Sequence, residues 1–177
     1  RPGAQPVADQ MQRRTLLKLG LGATVILVAA GGGVALLNPA LSHGRLSEAG
    51  RSVMHAVARA VLDGALPIAD SDRERALQAH LERLDAAIAA FPQPVQAELS
   101  QLLTLLATPP GRVALAGLSS PWPQASVAQV QEAMQGMRLS SLALKQQGYH
   151  ALRDLTNAAY FSDPSAWQRM GYPGPTD

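Results

Sequence analysis

Residues 71–88 read SDRERALQAHLERLDAAI and place Leu77, Leu81, Leu84 and Ile88 at spacings of four, three and four. That rhythm lines one face of an α-helix and leaves the charged residues between them on the other face. Ser71 and Glu74 make the S-x-x-E pattern of a capping box, which predicts the helix start. Phe91-Pro92 predicts its end.

The same period recurs on both sides. Upstream, a helix is expected over residues 47–63, with Val53, Val57, Ala60 and Val61 as its apolar stripe, stopped by Gly64 and Pro67. Downstream, Pro94 suits a first helical turn, and Val95, Leu99, Leu102, Leu103 and Leu106 supply a buried face. Thr108-Pro109-Pro110-Gly111 breaks that helix, and a short helical piece is expected over residues 112–118. Ser126 and Gln129 form a second capping box, S-x-x-Q, for a helix reaching Met137. The longest helix is expected from Ser140 or Ser141 to Tyr160, with Leu142, Tyr149, Leu152 and Ala159 inward. Asp163-Pro164 opens a last short helix that contains Trp167 and ends at Gly171. Tyr172-Pro173-Gly174-Pro175 is expected to be extended, since proline restricts its predecessor. No convincing alternating strand occurs. The expected fold is all-α: a domain of five to six helices over residues 45–177, behind an N-terminal signal or transmembrane helix in residues 1–44.

Composition narrows the function classes. Hydrophobic residues make up 47% and charged residues 16% of 177, enough apolar material for a core. Cysteine is absent. That excludes disulfides, thiolate metal sites, iron–sulfur clusters, covalent haem attachment and a thiol nucleophile. The net charge of +2 is uneven: residues 1–44 carry +3 and residues 45–177 carry −1. The basic balance therefore belongs to the N-terminal segment, and nucleic acid, which needs a clustered cationic surface, is not an expected partner.

That segment has the order of an export signal. Arg13-Arg14-Thr15-Leu16-Leu17-Lys18 precedes an uncharged stretch over residues 19–37. Arg13, Arg14, Leu16, Leu17 and Lys18 match the twin-arginine pattern R-R-x-apolar-apolar-Lys, although Gln12 replaces the usual Ser or Thr. Five glycines temper the apolar stretch, as twin-arginine signals favour. Nineteen helical residues would span roughly 28 Å, close to a bilayer core. Asn38-Pro39-Ala40 is a poor A-x-A cleavage site, so cleavage and retention as an anchor in the inner membrane both stay open. The twin-arginine route carries folded proteins, which suggests export together with a folded, cofactor-loaded partner.

Catalytic constellations are not evident. His43, His55, His80 and His150 show no i, i+3 or i+4 pairing. His55 and His80 fall on different helices, which leaves a haem between them geometrically open. His150 and Asp154 fit a helix-surface hydrogen bond. No G-x-S-x-G or phosphate loop occurs. Asp70 and Asp72 suit a helix start better than acid/base work. Six of the seven aromatics fall between Trp122 and Tyr172. They read either as one local core cluster or as a partner surface.

Three C-terminal stretches carry a family resemblance: Tyr149-His150-Ala151-Leu152-Arg153-Asp154-Leu155, Ala159-Tyr160-Phe161-Ser162-Asp163-Pro164, and Trp167 followed by Gly171-Tyr172-Pro173-Gly174-Pro175. Together they resemble the C-terminal part of the gluconate 2-dehydrogenase subunit 3 family. These are small twin-arginine-signal subunits of membrane-associated flavin dehydrogenases. Tyr160 and Tyr172 stand in phenylalanine positions of its F-F-S-D-P … W … G-F-P-G-P pattern, and an asparagine- and glycine-rich insert before the Trp is missing. The resemblance implies no catalytic, cofactor or metal residue in this chain. It implies FAD and catalysis in a large partner subunit of the glucose–methanol–choline type, with a cytochrome c subunit often taking the electrons. The small subunit aids maturation and export. Tyr160, Phe161, Trp167, Tyr172 and Pro173 are the implied partner interface. An electron-transfer or quinone-binding membrane subunit is the competing expectation.

Overall fold

The computed structural model describes residues 39–169 and Gly171. The described residues are mostly helical. In order they form a two-stranded hairpin (β1, Leu41–Ser42; β2, Arg45–Leu46) and six helices. These are α1 (Glu48–Val61), α2 (Asp70–Ala89), α3 (Gln93–Ala107), α4 (Val127–Arg138), α5 (Ala143–Phe161) and α6 (Pro164–Arg169). Single helical turns fill the α3–α4 connection: Pro109–Gly111, the π-helical Arg112–Ala116, and the 3-10 turn Trp122–Gln124.

Helix α1 sits in the middle and meets α2, α3, α4 and α5. Its composition explains why. Val53, Met54, Ala56, Val57, Ala58 and Ala60 are all buried, so the helix is covered well beyond the single expected stripe. The alanines keep its girth small enough for neighbours to close around it. The α2 seam then packs inward, with Leu77, Leu81, Leu84 and Ile88 all buried. Trp122 fills the core below α3, and its indole N–H donates to Leu106 O at 2.7 Å.

The hairpin departs from the expectation of no strand. Its strands are two residues long, too short to show alternation. The turn is carried by His43 (φ 53°) and Gly44 (φ 73°), the left-handed pair that a tight two-residue hairpin demands. Leu41 pairs with Leu46 and Ser42 with Arg45. Ala40 and Leu41 are buried, so the packed core begins before residue 45. Gly50 of α1 lets this strand lie close: a Cβ there would stand 2.3 Å from Ala40 O.

Several boundaries are corrected. Helix α2 starts at Asp70 with Ala69 as its N-cap and no side-chain cap, so Ser71 and Glu74 form no capping box. Arg73 organises that entry instead, donating to Pro67 O at 3.1 Å, Ile68 O at 2.5 Å and Asp70 Oδ1 at 2.9 Å. Glu74 accepts from Gln78 at 2.8 Å. Helix α5 begins at Ala143, one residue shorter than α2, and Leu142 is 59% exposed, not inward. Val95 is likewise partly exposed. Past α3, Thr108 reopens a helical turn, its hydroxyl accepting from Gly111 N at 3.2 Å, and Gly117 (φ 67°) closes the π-helical turn.

The second capping box is present. Gln129 N donates to Ser126 Oγ at 3.2 Å, and Ser126 N donates to Gln129 Oε1 at 2.9 Å. Ser126→Ala removes one half of that exchange and should destabilise the chain by about 1 kcal/mol in a denaturant melt. An unchanged midpoint would show that α4 is held by packing alone. Among the described residues, no helix is long and apolar enough to cross a membrane.

Candidate functional site

The motif residues from Ala159 to Pro164, with Trp167, lie at one corner of the fold. Helix α5 ends at Phe161, and a helix end leaves carbonyls without intrahelical partners. Three side chains reach them here. Arg83 Nε donates to Ala159 O at 3.1 Å, Ser162 Oγ donates to the same oxygen at 2.9 Å, and Trp167 Nε1 donates to Phe161 O at 2.8 Å. The Arg83 guanidinium also complements the negative end of the helix dipole and lies 3.4 Å from Asp163 Oδ2.

Below this polar rim lies a second apolar cluster. Ala58, Leu62, Leu77, Tyr160 and Ala166 are buried in it, with Leu66 and Trp167 half-buried against it. The Tyr160 hydroxyl donates to Ala65 O at 3.2 Å, tying α5 to the α1–α2 loop. Between that loop, α2 and the α5–α6 corner is a cavity of about 170 Å³. Leu62, Leu66, Pro67 and Ala76 give it apolar walls, and His80, Arg83, Tyr160 and Asp163 supply its polar groups.

His80 is the unusual member. It is 1% exposed, and neither ring nitrogen has a hydrogen-bond partner. Burial, with a smaller push from the Arg83 charge, lowers its pKa to about 4, so the imidazole is neutral at physiological pH. Its ring can therefore offer one donor and one acceptor.

A second polar centre lies further along α2. Asp85 is 2% exposed and takes three cationic or N–H partners. Leu46 N donates to Oδ1 at 2.8 Å, Arg51 pairs closely with Oδ2, and Arg45 Nε stands 3.7 Å from Oδ2. This carboxylate joins the hairpin, α1 and α2, and its role is architectural.

The expected interface residues divide. Phe161 is 41% exposed, Trp167 is half-buried, and Tyr160 is buried at 4%, which removes its ring from any surface contact. Tyr172 and Pro173 lie outside the described residues, as do Arg13, Arg14, Leu16, Leu17, Lys18 and residues 19–37. The described aromatics do not form one cluster. Trp122 and Tyr149 pack on the main core, whereas Tyr160 and Trp167 belong to the second. His55 and His80 are also separate in chemistry, since His55 Nε2 lies 3.3 Å from Glu74 Oε2. Asp154 meets Arg153 at 3.3 Å in place of His150, whose ring lies edge-on to Tyr149. Among the described residues, no group of three or more His, Asp or Glu side chains could hold a metal ion.

No family model, curated protein or solved structure matches this chain.

Proposed function

We propose that this chain is the non-catalytic small subunit of a periplasmic flavin-dependent sugar or alcohol dehydrogenase of the glucose–methanol–choline type. In this reading it docks the folded large subunit and aids its maturation. It also supplies the twin-arginine signal and tethers the complex to the periplasmic face of the inner membrane through residues 19–37. FAD and the chemistry belong to the partner, and a cytochrome c subunit takes the electrons.

The observation that carries the reading is the C-terminal motif, Ala159-Tyr160-Phe161-Ser162-Asp163-Pro164 with Trp167 and Gly171-Tyr172-Pro173-Gly174-Pro175. The placement of its described residues is consistent with a docking role. Ser162, Asp163 and Trp167 shape the end of α5 through the contacts above, and Phe161 is left facing out beside them. A hydrogen-bonded corner presenting one aromatic ring offers a partner a surface with little left to order.

Two measurements test it. A tag on this chain should co-purify a flavoprotein with the absorbance of FAD, and recovery of the chain alone from a native membrane extract would sink the proposal. Arg13→Lys with Arg14→Lys should cut the periplasmic dehydrogenase activity by about tenfold or more while the chain still folds, because the export receptor reads the arginine pair. Normal export of that double variant would refute the twin-arginine assignment while leaving the docking role to the co-purification test.

A further inference from the structure

At the other end of α5 from the C-terminal corner, the turn between α4 and α5 puts two leucines into solvent. Leu139 is 68% and Leu142 59% exposed, and Arg138 and Lys145 flank them. We propose that this turn is a membrane contact, seating Leu139 and Leu142 at the boundary between headgroups and acyl chains of a bilayer that contains anionic phospholipid.

Hydrogen bonds within the turn hold the leucines out. Leu139 N donates to Gln135 O at 3.0 Å, Leu142 N to Ser140 Oγ at 3.1 Å, and Gln146 Nε2 to Ser140 O at 2.8 Å. Polar groups already satisfied in this way cost less to bring out of water. Charge names the surface. No acidic residue occurs between Glu132 and Asp154. Six arginines elsewhere among the described residues lie against a carboxylate, whereas Arg138 and Lys145 face none. Aliphatic side chains rimmed by basic ones suit a surface that is anionic outside and apolar within, and the long basic stems let the charges stay at headgroup level. Each basic residue there adds roughly fivefold to binding. Leucine, by contrast, is under-represented among the anchors of protein interfaces. Position agrees with a bilayer. A Cβ at Gly148 would stand 2.9 Å from Met137 Cε and 3.5 Å from Leu102 Cδ1, so the residues on either side of the turn pack on α3 at Leu102. Two residues further along α3, Thr104 Oγ1 accepts from Ala40 N at 2.9 Å. The turn and the point where residues 1–38 join the fold thus meet α3 at one level. The contact goes beyond the tether proposed over residues 19–37 and does not depend on it.

The chain has no cysteine, so a single one places a probe. Full-length Ser141→Cys, carrying an environment-sensitive fluorophore, is mixed with phosphatidylcholine vesicles with and without phosphatidylglycerol. With phosphatidylglycerol the emission should shift to the blue and be quenched by lipids spin-labelled on the acyl chain. The same label at Gln78→Cys, on the outer face of α2, should stay unquenched. Adding Arg138→Gln and Lys145→Gln should weaken the Ser141 response to phosphatidylglycerol about tenfold or more, and adding Leu139→Ser and Leu142→Ser should abolish the quenching. A Ser141 label that stays in water, or responds equally without phosphatidylglycerol, overturns the proposal. So does loss of flavoprotein co-purification in the serine variant with no vesicle response, which would make the turn a protein contact. A label at Val25→Cys reads the tether separately. Quenching at Ser141 without quenching at Val25 supports the contact while refuting the tether, and quenching at Val25 alone overturns the contact.

Discussion

Asp85→Ala is expected to destabilise the chain by about 3–5 kcal/mol, the cost of breaking a buried ion pair from one side. For a domain of this size that is roughly a 10–20 °C drop in melting temperature. Removing the carboxylate leaves the Leu46 N–H without its acceptor and the half-buried Arg51 guanidinium without its counter-charge. Both then face the 2%-exposed space that Asp85 occupied. Asp85→Asn should lie between the two, because the amide oxygen can still accept from Leu46 N while the charge is lost. Asp85→Leu together with Arg51→Met should recover much of the loss, since a well-packed apolar pair often matches a buried ion pair. Circular-dichroism melts of the four proteins check this order. A single Asp85→Ala cost below about 1 kcal/mol would show that water reaches the site and replaces the carboxylate.

Both polar centres were within reach of helix arithmetic, and the seam of α2 shows how. His80 stands three residues after Leu77 and four before Leu84. Asp85 stands four after Leu81 and three before Ile88. Each thus flanks the apolar face that fixes the fold, and a polar group in that position is either satisfied or poised for something. What the one-dimensional pattern could not supply is the partner. Asp85 answers to Leu46, 39 residues away in a hairpin whose two-residue strands carry no periodic signal, and to Arg51 of α1, 34 residues away. His80 answers to none, which only the three-dimensional surroundings can tell.

The capping boxes make the same point at shorter range. Ser126-x-x-Gln129 and Ser71-x-x-Glu74 look equivalent as patterns, yet only the first closes. In the second, Arg73 binds the incoming loop carbonyls and Asp70 already sits in the first turn, so the helix starts ahead of Ser71. At the C-terminal corner, the motif names the residues, and exposure separates their roles. Tyr160 turns in to Ala65, Trp167 folds back on the end of α5, and Phe161 is left facing out. Trp167 therefore contributes first to the packing of the corner, and Phe161 becomes the more informative position for probing a docked partner.

Acidification should weaken the fold through His80. Its pKa is about 4 in the folded chain and near 6.5 when unfolded, so the unfolded state binds the proton more tightly. Stability is then complete above pH 6.5 and declines as the pH falls from 6.5 toward 4, flattening below that. The linkage amounts to about 2 kcal/mol by pH 5 and about 3 kcal/mol by pH 4. The groups facing His80 explain the direction. Apolar walls desolvate the imidazolium, and Arg83 repels it, while Asp163 is engaged with Arg83 and Tyr160 with Ala65. Glu74, held below the usual carboxylate range chiefly by its hydrogen bond from Gln78, adds its own loss at the acid end. The variant His80→Leu separates the two, because Glu74 acts equally in both proteins. It should be more stable than the parent at pH 7 by about 1 kcal/mol, having removed two unsatisfied polar atoms. The gap should widen by about 2 kcal/mol at pH 5. Urea melts at the two pH values give both numbers, and a gap that stays constant between them would mean that the imidazole finds a partner, or water, that keeps its proton affinity ordinary.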